Sequence, residues 1–358
     1  MKPNHTYIIA EAGVNHNGDI GLAKRLIEVA ADSGADAVKF QTFKADLLVS
    51  RQAQKADYQQ KTTDCAESQY EMIRKLELDT NAHEVLIAHC KKSGIEFLST
   101  PFDHESVELL ANHFDLPLVK IPSGEITNAP LLFKIAQTGK PVIISTGMST
   151  MGDIEDALGV LALGYLNGNN PSIKTFRSAY YSDRGQAVLK DKVSLLHCTT
   201  EYPALFEEVN LKAMDTMRNA FGLPVGFSDH TSGIAAAIAA VARGAEIIEK
   251  HFTMDKNLPG PDHKASLEPA ELKYMIASIR NIEKALGNGI KIPAPSELKN
   301  IAVARKSLVA ACRIDKDEAL SIDNLAAKRP GSGITPMQYW DNIGRKMHKT
   351  IEKDELIS

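Results

Sequence analysis

The stretch SGADAVKFQ, residues 33–41, carries a helix stop and the start of a strand, and its reading decides the fold. Upstream of it, Ile20 to Ala31 places Leu22, Leu26, Ile27 and Ala30 on one helical face, and Gly34 suits the C-cap of that helix. Downstream, the apolar run is broken only by Lys39 and Gln41. The same unit recurs on either side. Strand-like runs are YIIAE (7–11), AVKFQ (37–41), IEFLS (95–99), LVKI (118–121), PVIIS (141–145), VSLLHC (193–198), PVGFS (224–228) and EIIEKHF (246–252). Strands alternating with helices imply a parallel sheet, and eight such units in about 280 residues imply a closed α/β barrel of the (β/α)8 TIM type. An open doubly wound sheet is the alternative, but no G-x-G-x-x-G turn follows YIIAE.

Two segments interrupt the pattern. Residues 43–79 lack one clean helical period and read as a long loop with a short helix, placed where an active-site lid would be. Residues 166–191, rich in Asn, Ser and Gly, read as a flexible connection. Past residue 285 the alternation stops. The predicted organisation is a barrel over 1–285, a linker over 286–300 containing GNGIKIPAPSELKN, and a compact tail over 301–358 with the strand-like SLVAACRI and the turn PGSG. A tail of that size is marginal alone and is expected to pack on a barrel, its own or a partner's.

Composition narrows the function classes. With 41 basic and 45 acidic residues the net charge is -4, so nothing draws the whole chain to nucleic acid or to anionic lipid. No stretch approaches the roughly 20 apolar residues of a membrane span. Cys65, Cys90, Cys198 and Cys312 are widely spaced and form no C-x-x-C pair, which argues against a disulfide framework or a zinc knuckle. A cytoplasmic enzyme is expected.

In a barrel, the C-terminal ends of the strands build the active site. Those ends are polar here: Glu11 on the first strand, Lys39 and Gln41 on the second, Thr100 after the third, Lys120 and Ser123 on the fourth, Ser145 on the fifth, Tyr202 after the sixth, Ser228 and His230 on the seventh, Glu249 and His251 on the eighth. Two lysines inside apolar strands must be paired or bind an anion. Either a salt bridge to Glu11 or Glu125 satisfies them, or a ligand with a phosphate and a carboxylate does; phosphoenolpyruvate has both groups. His230 and His251, on neighbouring strands beside Glu249, are candidate ligands of one divalent metal with open positions left for a substrate oxygen. His197 and Cys198 read as strand packing.

The segments IIAEAGVNHNG, AVKFQTFKAD, FLSTPFD, VKIPSGEITN, IISTGM, LLHCTTEYP, GFSDHTSG, IEKHFT and PGPDHKASLEP resemble the sialic acid synthase family, and KRPGSGI is similar to the motif of its C-terminal antifreeze-like (SAF, β-clip) domain. The resemblance runs from about residue 6 to 356. It implies a TIM barrel carrying a small SAF domain, and a domain-swapped homodimer in which one subunit's tail caps its partner's barrel. Phosphoenolpyruvate contacts implied by the motifs are Lys39, Thr100, Lys120, Ser123, Ser145 and Ser228; sugar contacts are Glu11, Gln41, Tyr202, Asp262 and the partner's Arg329. The metal ligands implied are His230 and His251, with manganese or magnesium expected, and Glu11 and Glu249 are the catalytic groups. Thr200 stands where some members have Asn. The implied reaction condenses phosphoenolpyruvate with an open-chain N-acetylated amino sugar. The wording of EAGVNHNGD, AADSGADAVKFQTFK, LHCTTEYPA and DHKASLEP favours 2,4-diacetamido-2,4,6-trideoxymannose, giving N,N'-diacetyllegionaminate; N-acetylmannosamine is the alternative sugar. A Schiff-base aldolase using Lys120 or Lys39 is the rival outside the family.

Overall fold

The computed structural model describes residues 5–55 and 67–358. Eight parallel strands, β1 (Tyr7–Gly13), β2 (Ala37–Thr42), β3 (Glu96–Pro101), β4 (Val119–Ile121), β5 (Val142–Ser145), β6 (Val193–Cys198), β7 (Val225–Asp229) and β8 (Ile247–His251), run in the order β3-β2-β1-β8-β7-β6-β5-β4. β1 pairs with both β2 and β8, so the sheet wraps round on itself, and its two end strands β3 and β4 lie side by side. This is the expected barrel. Helices follow the strands in turn, among them Ile20–Ser33, Thr80–Ser93, Ala129–Gln137, Met151–Tyr165, Ala213–Phe221, Ala235–Ala242 and Pro269–Leu286.

Local chemistry sets the element ends. The Asp19 carboxylate accepts from the amides of Gly21 at 2.6 Å and Leu22 at 3.1 Å, starting the helix Ile20–Ser33, and Gly34 ends it at φ 85°, a left-handed conformation that favours glycine. That helix buries Leu22, Leu26, Ile27 and Ala30, the face anticipated from spacing. Each fully buried Leu or Ile stabilises by about 1.5–3 kcal/mol.

Strand residues alternate between two cores. Ile8, Val38, Phe40, Phe97, Ile121, Ile144, Leu195, Phe227 and Ile248 face outward into the layer shared with the helices. Ile9, Ala37, Leu98, Ile143, Leu196 and Ile247 face inward and close the barrel floor, with Leu118 packed against them. Gly226 completes that tier, because a Cβ there would stand 2.3 Å from the Ile247 carbonyl oxygen and 2.7 Å from Leu196 Cδ2. The side-chain period in a strand is two. Two residues above each floor position therefore comes the next inward group: Glu11, Lys39, Thr100, Lys120, Ser145, Cys198, Ser228 and Glu249.

Two sequence expectations are corrected. Residues 166–191 form the helices Ile173–Tyr180 and Asp183–Lys192, with Ser172 and Ser182 as N-caps, where a flexible connection was expected. Phe176 and Tyr180 pack against the main core and fix them there. In residues 286–300, read as linker, a helix Pro295–Ala304 begins, with Pro295 in its first turn and the Glu297 carboxylate accepting from the Ala294 amide at 2.7 Å. Within 43–79 there are short helices at Ala45–Leu48 and Gln69–Arg74; the middle of the proposed lid, and Cys65, lie outside the described residues. Cys90, Cys198 and Cys312 are free.

The chain divides into two compact units, Met1–Gly287 and Asn288–Ser358. In the second, β9 (Ser307–Ala310) pairs antiparallel with β10 (Leu325–Lys328), and bridges join Val309 to Leu356, Ile314 to Ile351 and Ala319 to Lys346. Its own core is Leu308, Ala310, Ile314, Leu320, Leu325, Met347, Ile351 and Ile357. Among the described residues no helix is long and apolar enough to cross a membrane.

Candidate active site

The tier above the floor is a charged ring. Lys39 Nζ lies 2.6 Å from Glu11 Oε2 and 3.6 Å from Glu249 Oε2, and donates to Thr100 Oγ1 at 3.0 Å. Lys120 Nζ lies 3.6 Å from Glu249 Oε1 and donates to Ser145 Oγ at 2.6 Å and to the Ile121 carbonyl at 3.2 Å. The salt bridge weighed for Lys39 with Glu11 is therefore made, whereas Glu125 pairs with Asn128 and not with Lys120. All four charged groups are buried.

Burial without full pairing shifts their ionisation. Glu249 is pushed up by burial, but Lys120 and Lys39, with the Ser228 hydroxyl, outweigh it and hold the carboxyl down at about 2. For Glu11 burial wins over the Lys39 attraction, and its carboxyl is raised to about 7. Burial lowers Lys120 despite Glu249, while Lys39 overcomes its own burial through Glu11 and Glu249 and is raised. The ring thus offers one carboxylate that its neighbouring ammoniums hold ionised and one carboxyl whose hold on its proton burial strengthens.

Small donors border Lys120. Ser123 Oγ accepts from the Gly147 amide at 2.9 Å and sits 3.1 Å from Cys198 Sγ. A Cβ on Gly147 would stand 2.2 Å from Thr200 Oγ1, 2.8 Å from Ser123 Oγ and 2.9 Å from Cys198 Sγ, so these groups converge on one point; Thr200 Oγ1 is buried with no hydrogen-bond partner. Cys198, read from sequence as packing, belongs to the inward ring. His197 faces the other way, its Nε2 on the Val209 carbonyl at 2.6 Å.

Above the ring the two histidines meet. His230 and His251 have ring centroids 5.7 Å apart, and Tyr202 stacks on His230 at 4.2 Å while standing edge-on to His251 at 5.7 Å. His230 Nδ1 donates to the Thr199 carbonyl at 2.6 Å, so Nε2 carries the lone pair. Ser228, the nearest donor to that lone pair at 3.3 Å, gives its proton to Glu249 Oε1 at 2.9 Å instead. His251 Nδ1 is buried without a hydrogen-bond partner, 3.9 Å from Asp262 Oδ2. Burial lowers His230 to about 4 and His251 well below the usual imidazole range, and it raises Asp262 to about 6. Two neutral imidazoles with unspent lone pairs on one wall fit a divalent cation that takes its remaining ligands from water and substrate. Among the described residues no group of three or more His, Cys, Asp or Glu side chains forms a closed metal cage.

Gly13 marks where the third tier gathers: a Cβ there would lie 3.2 Å from Glu11 Oε1, 3.4 Å from His251 Cε1 and 3.5 Å from Gln41 Nε2. Of the residues expected at the site, all on the barrel fall into these connected groups. Arg329 belongs to the second unit, is exposed, and donates through Nε to the Ala304 carbonyl at 3.0 Å. Sequence reading missed Gly147, whose role is to lack a side chain, and it left Asp229 and Lys250 without a role.

Two ammoniums and four hydroxyls, gathered with a pair of imidazoles at the C-terminal ends of the strands, place a charged site where (β/α)8-barrel enzymes carry their chemistry. The chain belongs to the NeuB family, whose profile matches residues 26–291. It is 56% identical over 352 residues to the N,N'-diacetyllegionaminic acid synthase of Campylobacter jejuni, covering 98% of both chains. It is 45% identical to the enzyme of the same name from Legionella pneumophila, covering 96% of this chain and 91% of that one. Among solved structures, the N-acetylneuraminic acid synthetase of Leptospira borgpetersenii superposes with a TM-score of 0.66 at 33% identity, covering 83% of this chain and 90% of that one.

Proposed function

We propose that the protein condenses phosphoenolpyruvate with 2,4-diacetamido-2,4,6-trideoxymannose to give N,N'-diacetyllegionaminate and phosphate. The observation that carries the reading is the ring in which Lys39, Lys120, Thr100, Ser145 and Ser228 surround Glu249 directly beneath the His230 and His251 pair. The similarity to two legionaminic acid synthases, one of them at 56% identity, supports the choice of sugar over N-acetylmannosamine.

Phosphoenolpyruvate takes the hydrogen bonds of Lys39, Lys120, Thr100, Ser145 and Ser228, with the Ser123 and Gly147 corner receiving one of its anionic ends. His230 and His251 would hold a manganese or magnesium ion, which would supply Lewis-acid polarisation of the sugar aldehyde. Carbon 3 of phosphoenolpyruvate bonds to the aldehyde carbon as the aldehyde oxygen takes a proton, water adds at carbon 2, and the carbon 2 hydroxyl gives up its proton as the carbon–oxygen bond to phosphate breaks, leaving the 2-keto acid and phosphate. Glu249, ionised at the centre of the ring, stabilises positive charge developing at carbon 2. Glu11, whose proton affinity burial raises, accepts the proton of the attacking water. Gln41, Tyr202 and Asp262 line the sugar side. The compact second unit acts as an antifreeze-like domain in a domain-swapped homodimer, bringing the partner's Arg329 to that side.

Phosphate release from phosphoenolpyruvate with each sugar, with manganese or with chelator, tests the reading. Faster turnover on the trideoxy sugar, abolished by chelator, is the expected result. Faster turnover on N-acetylmannosamine would reassign the substrate, and borohydride trapping of a pyruvate adduct on Lys120 or Lys39 would replace the mechanism by a Schiff-base one.

A further inference from the structure

Behind the histidine wall lies a second pair of charges that the chemistry does not use. Asp229 and Lys250 are cross-strand neighbours on β7 and β8. Each follows by two residues an outward-facing apolar position, Phe227 and Ile248, so both point away from the barrel interior into the helix layer. Both side chains are 0% exposed, with Asp229 Oδ2 and Lys250 Nζ 3.0 Å apart. Thr231 joins them: its amide and hydroxyl donate to Asp229 Oδ1 at 2.9 and 2.7 Å, and its carbonyl accepts from Lys250 Nζ at 2.5 Å.

Stability does not explain this pair. The outward positions beneath it, Val225, Phe227 and Ile248, are apolar, and apolar residues of similar volume replace a buried ion pair at no loss or with a gain. What the pair adds is direction. Asp229 and Thr231 flank His230, and Lys250 immediately precedes His251. One network therefore ties the backbone on both sides of the first imidazole to the backbone leading into the second. From the far side, the His230 carbonyl accepts from the Ala204 amide at 2.9 Å and its Nδ1 is held by Thr199. We infer that Asp229 and Lys250 are positioning residues that set the separation of the His230 and His251 imidazoles, and hence the affinity for the divalent cation. The inference rests on the two-histidine metal reading proposed above.

The test compares the parent with Asp229→Leu plus Lys250→Met in one full-length chain, which removes both charges together and leaves neither buried alone. Manganese binding is measured directly by calorimetry, phosphoenolpyruvate binding separately in chelator, and folding by thermal unfolding. The double variant is expected to stay folded and to bind phosphoenolpyruvate within about 3-fold of the parent. Manganese binding should weaken roughly 10- to 100-fold, the usual effect of losing partners that orient metal ligands. Parent-like manganese affinity in the folded double variant overturns the inference, and so does an equal loss of metal-free phosphoenolpyruvate binding, which would mean a general collapse of the barrel mouth. Should the double variant fail to fold, Asp229→Asn, which keeps the size and the acceptor for Thr231, must still weaken manganese binding, and parent-like affinity there also overturns it. His251→Ala separates the two readings: if that variant binds manganese like the parent, the metal site itself is misplaced; if it loses manganese while the double variant does not, only the positioning role fails.

Discussion

Glu249 is central to the proposed chemistry, because among the described residues it alone forms ion pairs with both Lys39 and Lys120, and it also takes the Ser228 hydroxyl. Replacing it with Gln keeps the shape and the acceptor for Ser228 but removes the charge. Lys39 and Lys120 are then freer to engage an anion, so phosphoenolpyruvate should bind within about 3-fold of the parent or more tightly, while turnover falls roughly 10²- to 10⁴-fold. Single-turnover phosphate release alongside equilibrium binding separates the two effects. Unchanged turnover would remove Glu249 from the mechanism. Lysines within apolar runs are legible as anion-binding candidates because their burial demands a partner. The sequence left a structural bridge and a substrate contact open for Lys39; the structure shows the bridge to Glu11 made, with the same ammonium also reaching Thr100 and Glu249.

At the scale of elements, the eight strands were legible because each is a short apolar run and helical stretches separate most of them. Their facing was not, since an inward and an outward strand position can both be apolar, as Ile8 and Ile9 are. The helices Ile173–Tyr180 and Pro295–Ala304 were missed for different reasons: the first is only eight residues long, so Ile173, Phe176 and Tyr180 mark its apolar face over just two turns, and the second buries nothing. Their capping residues, Ser172 with Thr175 and Pro295 with Glu297, were the available signal. The turn after β5 carries a sharper consequence. Gly147→Ala places a methyl group against Thr200, Ser123 and Cys198, all closer than contact distance. Repacking strain of about 1–3 kcal/mol is expected at that corner, enough to weaken phosphoenolpyruvate roughly 10-fold while the chain stays folded. Calorimetric titration and urea unfolding check it, and unaltered phosphoenolpyruvate affinity would place the anion elsewhere.

For the whole molecule, the chief prediction concerns where Arg329 acts. Under the domain-swapped arrangement, a barrel with Glu249 intact borrows Arg329 from its partner. Arg329→Ala and Glu249→Gln chains are each expected to be nearly inactive alone. Co-expressed, half of the dimers would be mixed, and each would hold one barrel with both residues, restoring about a quarter of the parent activity. A co-expressed mixture no more active than its components would show that Arg329 serves its own barrel or none. The second unit was legible as a separate piece because the alternation ends near residue 285, and it folds around its own eight-residue core.

The stacking of the barrel in steps of two residues separates what must be kept from what can be changed. The floor of Ile9, Ala37, Leu98, Ile143, Leu196 and Ile247 packs the inward side of the strands, and under the proposed function the ring above it would handle the part of the reaction common to any aldehyde acceptor. Groups that would meet the distinguishing substituents of a sugar, Gln41, Tyr202 and Asp262, stand one step higher or on the loops. A lineage of such enzymes can therefore drift from one acceptor sugar to another by altering the rim alone, and a library aimed at new acceptors should vary those upper positions while leaving the two lower steps untouched.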